Sequence, residues 1–327
     1  MEHQIFSQQG LSPEVIASEE KIWTDAIEKT REALEKEVDF ILISNIFANI
    51  YKKCLPNLSE EEINKKLAGI VHPRYEVLYS LSGKTEEEYI KGKEKDNNAE
   101  TDGIKIRYSA RDYYEKGKID ITSLVKSSIH ELLHIVADKN ETNEDLFSTG
   151  VSVNSESSFE ENPLFFNKTN EGLTEFISDA VYSEYMARKG EMITTEKFTG
   201  EDKDGVRYNL APRNASYIGE RLDIYILMNE LQKITELPLE RICQRLVKEY
   251  ITNGDLLREE IVTEFREYPE VINTLEKLKR NHVTKFSEEE LDRFEEEIQT
   301  TELVFAKTLF GRDAVGEYNK KIIDSLK

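Results

Sequence analysis

Between Ser128 and His134 the chain reads Ser-Ile-His-Glu-Leu-Leu-His. The residues around it follow the helical repeat. Val125, Ile129, Leu132 and Val136 fall on one apolar stripe, with Leu133 beside it. His130 and His134 fall nearly opposite, one turn apart on the same face, flanked by Ser127 and Ala137. Asp120 or Thr122 is placed to cap the start of this helix. A chain with such a segment must supply a core for the stripe and a cleft for the histidines.

Two imidazoles one turn apart can reach the same Zn2+ ion. Glu131, between them, projects beside the histidines and can take the proton of a water on that ion. The bland alternative is a histidine pair with no ligand. Catalytic Zn2+ takes three protein ligands and keeps a fourth position open. The other histidines, His3, His72 and His282, have no supporting context, so a carboxylate is the natural third ligand. Glu171, opening the helix predicted from Asn170 through Tyr185, is the best placed. Its alternative role is an ordinary acid at a helix N-terminus. Glu175, one turn on, can hold a ligand histidine through its second ring nitrogen. Asp179, a further turn along, is another candidate for that task.

His130-Glu131-x-x-His134 followed by Asn170-Glu171-Gly172 resembles the gluzincin zinc peptidases, the thermolysin and aminopeptidase N class, and most closely a bacterial member. The resemblance spans roughly residues 100 to 250. It implies a zincin-like core, Glu171 as third ligand and Glu175 behind a ligand histidine. The run from Tyr217 to Leu227 resembles the segment that carries a transition-state tyrosine, which implies an oxyanion-binding role for Tyr217. Two features depart from the family pattern. The separation of His134 from Glu171 is much longer, which calls for an inserted loop or hairpin. No Gly-x-Met-Glu-Asn run precedes the site.

The rest of the chain is read around this centre. The expected fold class is α+β, mostly α-helical, with a small mixed sheet in the core. Residues 1–72 read as a helical N-terminal region, 73–252 as the core and 253–327 as an acidic helical region. Helical spacing runs over 13–52 through Ile22, Trp23, Ile27, Leu34, Val38, Ile41, Leu42 and Ile46, and Ser59 with Glu62 forms a capping box. Tyr75–Tyr79 alternates like a strand, and Ile104–Tyr108 like a half-exposed or edge strand able to take an extended substrate by strand addition. Gly117 marks a turn. Residues 138–163 read as a long loop with a hairpin near Val151-Ser152-Val153, and 216–250 as helical.

The net charge of -21 repels phosphate backbones and anionic lipid surfaces, which disfavours nucleic-acid and membrane roles, and neither partner is expected. It serves solubility or attracts basic substrates. With 14 Phe and 15 Tyr the chain still has ample core material. Cys54 and Cys243 form no C-x-x-C pair and read as isolated reduced thiols. No secretory leader is read at Met1-Glu2-His3-Gln4, so a cytoplasmic location is the expectation, with release by a non-classical route as its alternative. The expected function is zinc-dependent hydrolysis of peptide bonds in a peptide or protein substrate. The alternatives are a metallopeptidase effector acting on proteins of another cell, and a binding protein on a scaffold that has lost turnover.

Overall fold

The computed structural model describes residues 13–81, 99–101, 105–115, 117–137, 140–143, 146–149, 152–155, 167–189, 200–201, 207–208, 218–252, 272–273, 276 and 295–311. The fold is α+β and mostly helical, with a small three-stranded mixed sheet. Contacts gather the chain into two units, Met1–Val38 with Arg74–Ser127 and Asp39–Pro73 with Ser128–Lys327. Each unit is built from two separate stretches of chain, whereas the sequence reads as three consecutive regions.

In the first unit, helix α1 (Pro13–Glu37) buries Ala26, Thr30, Ala33 and Leu34, which share one face. The sheet has strands β1 (Arg74–Leu78), β2 (Ala99–Thr101) and β3 (Lys105–Ser109) in the order β1-β3-β2. Strand β3 is therefore central, parallel to β1 and antiparallel to β2. This corrects the edge alternative of the expectation, while the half-exposed alternative holds. The alternation of Ile106 and Tyr108, both fully buried, with Lys105 and Arg107 is real. The two cations are accounted for by neighbouring strands, through Lys105–Glu76 and Arg107–Glu100 contacts of 2.7 Å each. Strand addition onto β3 is excluded, because both of its hydrogen-bonding edges are already paired. The turn α4 (Ala110–Tyr113) and the pair β4 (Tyr114–Glu115) and β5 (Lys118–Ile119) follow, turning at Gly117 with φ of +83°.

Helix α5 (Ile121–Val136) starts at Asp120, whose carboxylate accepts from the Ser123 N–H at 3.1 Å and the Ser123 hydroxyl at 2.8 Å. From Ser128 onward it belongs to the second unit. There α2 (Phe40–Cys54) is a separate helix. Asp39 breaks the single run expected over 13–52 and caps α2 by accepting from Leu42 N–H at 2.8 Å. The break resets the helical phase, which is why Ile41 is 58 % exposed rather than in a core. Helix α3 (Glu60–Val71) carries the expected capping box of Ser59 and Glu62.

A three-stranded antiparallel meander follows α5, with β6 (Asn140–Asn143), β7 (Leu146–Thr149) and β8 (Ser152–Ser155) in that order. It is one strand more than the expected hairpin. Helix α6 (Asn167–Lys189) is the axis of the unit and packs against α2, α7 (Ile218–Thr235), α8 (Leu239–Ile251) and α9 (Glu295–Phe310). Its residues are buried on every side, from Leu173 and Phe176 through Tyr185 and Met186. The short pair β9 (Gly200–Glu201) and β10 (Arg207–Tyr208) lies between α6 and α7 in sequence. Glu236, at φ of +56°, divides α7 from α8 within the segment expected to be helical throughout. No helix among the described residues is long and apolar enough to cross a membrane.

Candidate metal centre

The site lies within the second unit, between α5 and α6. The stripe of Ile129, Leu132, Leu133 and Val136 is at most 2 % exposed, so hydrophobic burial fixes the rotation of α5 about its axis. The buried Tyr51 hydroxyl donates to the Val136 carbonyl at 2.7 Å and satisfies an acceptor that the helix end leaves free. With that rotation set, the His130 and His134 rings meet edge to face at 71°, with their Nε2 atoms 3.2 Å apart.

Glu171 comes from the second turn of α6. Its Oε2 lies 3.3 Å from His130 Nε2 and its Oε1 3.6 Å from His134 Nε2. A tetrahedral divalent metal with bonds of about 2.1 Å holds its ligand atoms about 3.4 Å apart. The imidazole nitrogens are 3.2 Å apart, and each lies 3.3 or 3.6 Å from one of the two Glu171 oxygens, all close to that value. The three donors converge as a group able to hold one ion. Two imidazoles with one carboxylate suit a transition metal better than Mg2+ or Ca2+, which prefer all-oxygen sites.

The electrostatics point the same way. Burial by itself disfavours a charged His130, yet hydrogen bonds that its ring donates to Glu171 and Glu175, with the charges of Glu175 and Glu131, hold its pKa well above 6.5. Burial by itself would raise the Glu171 pKa, yet the charge of His134 and hydrogen bonds to both histidines hold it far below the usual carboxylate range. The pocket is built to contain positive charge. Three carboxylates, Glu131, Glu171 and Glu175, act on the two imidazoles, a charge balance that suits a bound cation.

Glu131, 7 % exposed, is buried on α5 between the two histidines, and its negative charge is felt at both His130 and Tyr250. Glu175 stands behind the site, with Oε1 2.8 Å from His130 Nδ1. That contact leaves Nε2 as the ring atom facing His134 and Glu171. Asp179 turns to Arg221. Another turn along α6 carries it about 6 Å further, and its Oδ2 instead lies 2.6 Å from Arg221 Nη1. Tyr217 lies outside the described residues, one position before α7 begins.

Three contributors escaped the sequence reading. Arg221 is 5 % exposed and pairs with Glu175 as well as with Asp179. Its signal was its phase, since it shares a helical face with Ile224 and Met228, and a cation on a core-facing stripe demands partners. Gly172 lets α7 approach α6, as a Cβ there would meet Glu220 O at 2.5 Å. Tyr250, fully buried, shares a hydrogen bond of 2.9 Å with Thr174, whose hydroxyl donates to Asn170 O at 2.8 Å. That chain ties α8 to the turn of α6 carrying Glu171. Tyr250 carries no sequence signal, and the Asn170-Glu171-Gly172 run does not show the packing part of Gly172, because both depend on where a second helix crosses.

No family model matches this chain, and neither a curated protein nor a solved structure does.

Proposed function

We propose that the chain is a zinc-dependent metalloendopeptidase. The observation that carries this reading is the convergence of His130, His134 and Glu171 at metal-ligand separations, with Glu131 buried beside them. Zinc in that group would supply Lewis acidity, polarising a scissile carbonyl and bringing the pKa of water towards neutrality. His130, His134 and Glu171 hold the ion, and Glu175 orients His130. Glu131 takes the proton of the attacking water and passes it to the leaving amine. Tyr217, by its place in the sequence, donates a hydrogen bond to the developing oxyanion.

The substrate class is a peptide or protein, consistent with a net charge of -21 that disfavours nucleic acid. A cytoplasmic location goes with this reading, supported by two buried free thiols, Cys54 and Cys243. The test pairs metal analysis with Glu131→Gln. The variant should keep zinc at wild-type stoichiometry and lose peptide cleavage by at least about a hundredfold. Cleavage that survives the substitution sinks the role of Glu131. Zinc without turnover in the wild type as well would favour the binding-protein reading.

A further inference from the structure

The guanidinium of Arg221 is more fully engaged than a simple helix-packing cation. Its Nη2 is hydrogen-bonded to Glu175 Oε2, and its Nη1 lies 2.6 Å from Asp179 Oδ2 and 2.8 Å from Glu302 Oε1. Its carbon lies 5.7 Å above the Phe176 ring. Four side chains from two helices thus define where the guanidinium sits. One end of it aims at the same carboxylate whose other oxygen lies 2.8 Å from His130 Nδ1.

The geometry points to Arg221 as a positioning residue for the metal centre, fixing the Glu175 carboxylate that orients His130, with Glu302 tying helix α9 into the same task. This rests on the metal-binding reading above and adds residues that act on the site without touching it. A carboxylate rotates easily about its last side-chain bond, so one contact does not set its plane. Glu175 gains a second contact because Arg221 occupies Oε2, which leaves Oε1 facing the imidazole. Arg221 in turn is held on its Nη1 side by Asp179 from α6 and Glu302 from α9, which add to the compensation that Glu175 gives this buried cation. The order of action runs from α9 through Glu302, Arg221 and Glu175 to His130. A lysine cannot reproduce it, because one ammonium does not present a planar fork to three carboxylates.

The experiment measures zinc affinity of the full chain by competition with a chelating dye, alongside circular dichroism and thermal unfolding. Variants are Arg221→Lys, Glu302→Gln, Glu175→Gln and the double change Arg221→Lys with Glu175→Gln. Glu175→Gln is expected to weaken zinc binding by about 10–100-fold and Arg221→Lys by about tenfold. In the Glu175→Gln background, Arg221→Lys should add nothing to the loss of zinc affinity, because its route to His130 is already cut. A merely structural arginine would lower the melting temperature equally in both backgrounds and leave zinc affinity alone. Folded Arg221→Lys with wild-type affinity, or with the same loss in both backgrounds, overturns the inference. Glu302 is partly exposed and its change is mild, so Glu302→Gln keeps the test alive should Arg221→Lys not fold. It should weaken zinc binding in the same direction, and unchanged affinity would overturn the part assigned to α9. Wild-type protein that takes up no zinc overturns the metal reading itself. Zinc uptake that is indifferent to Arg221 overturns only the positioning role.

Discussion

Gly172 and Glu220 meet backbone to backbone: a Cβ on Gly172 would lie 2.5 Å from the Glu220 carbonyl oxygen and 2.8 Å from its carbon. This contact lets α7 come close enough for Arg221, the next residue, to reach Glu175. Gly172→Ala should therefore cost about 1–3 kcal/mol by overpacking, despite the better helix propensity of alanine. Urea unfolding measures the cost, and zinc affinity should fall with it. An alanine variant as stable as the wild type would mean that the helices separate without consequence.

One zinc per chain is the expected stoichiometry, with His134→Ala or Glu171→Ala abolishing tight uptake. At a free zinc concentration a hundredfold above Kd, binding should stabilise the fold by about 2.7 kcal/mol. A strong chelator should remove that increment and lower Tm. Protein whose Tm ignores both zinc and chelator would contradict a site built from these three donors.

The metal-free chain should carry a pH signature. His130 has a folded pKa held well above 6.5. Its contribution is fully present below the unfolded pKa and is lost as pH rises through the folded value. Glu171 is shifted down from 4.5, so its contribution is present above that value and is lost as pH falls through the folded pKa. Tm of chelated protein should decline as pH rises above 6.5, by more than in His130→Gln. Parallel profiles for the two proteins would remove His130 as the source.

Tyr250→Phe keeps the ring and deletes the hydroxyl bonded to Thr174. Burial and its neighbouring negative charges raise the pKa of that phenol, so it remains protonated at neutral pH. The deletion should cost about 0.5–1.5 kcal/mol, since the Thr174 hydroxyl keeps its bond to Asn170 O. Thr174→Val should cost about as much, and the double variant should cost less than the sum of the two. Additive losses would show that the two hydroxyls act independently.

Much of the centre was legible because it is local. His130, Glu131 and His134 share one helix, and a helix fixes side-chain phase to within a fraction of a turn. Glu171 and Glu175 repeat the same logic on α6. The pairing of Asp179 with Arg221 was not legible, because Arg221 stands on another helix. The same limit explains strand β3. Its alternation of buried and half-exposed residues is the pattern of an edge strand, yet Glu76 and Glu100 on flanking strands neutralise its cations and allow a central place.

The sequence by itself determined the amphipathic helix α5, the shared face of its imidazoles, and the shared face of Glu171 and Glu175 on α6, since each follows from spacing along one helix. Only the tertiary structure decided what surrounds them. It brought Arg221 and Glu302 to the back of Glu175, required Gly172 at a crossing and broke the N-terminal helical run at Asp39. The physical reason is that periodicity encodes which face of a helix is buried. Which helix covers that face is set by packing between residues far apart in the chain, and no local repeat records it.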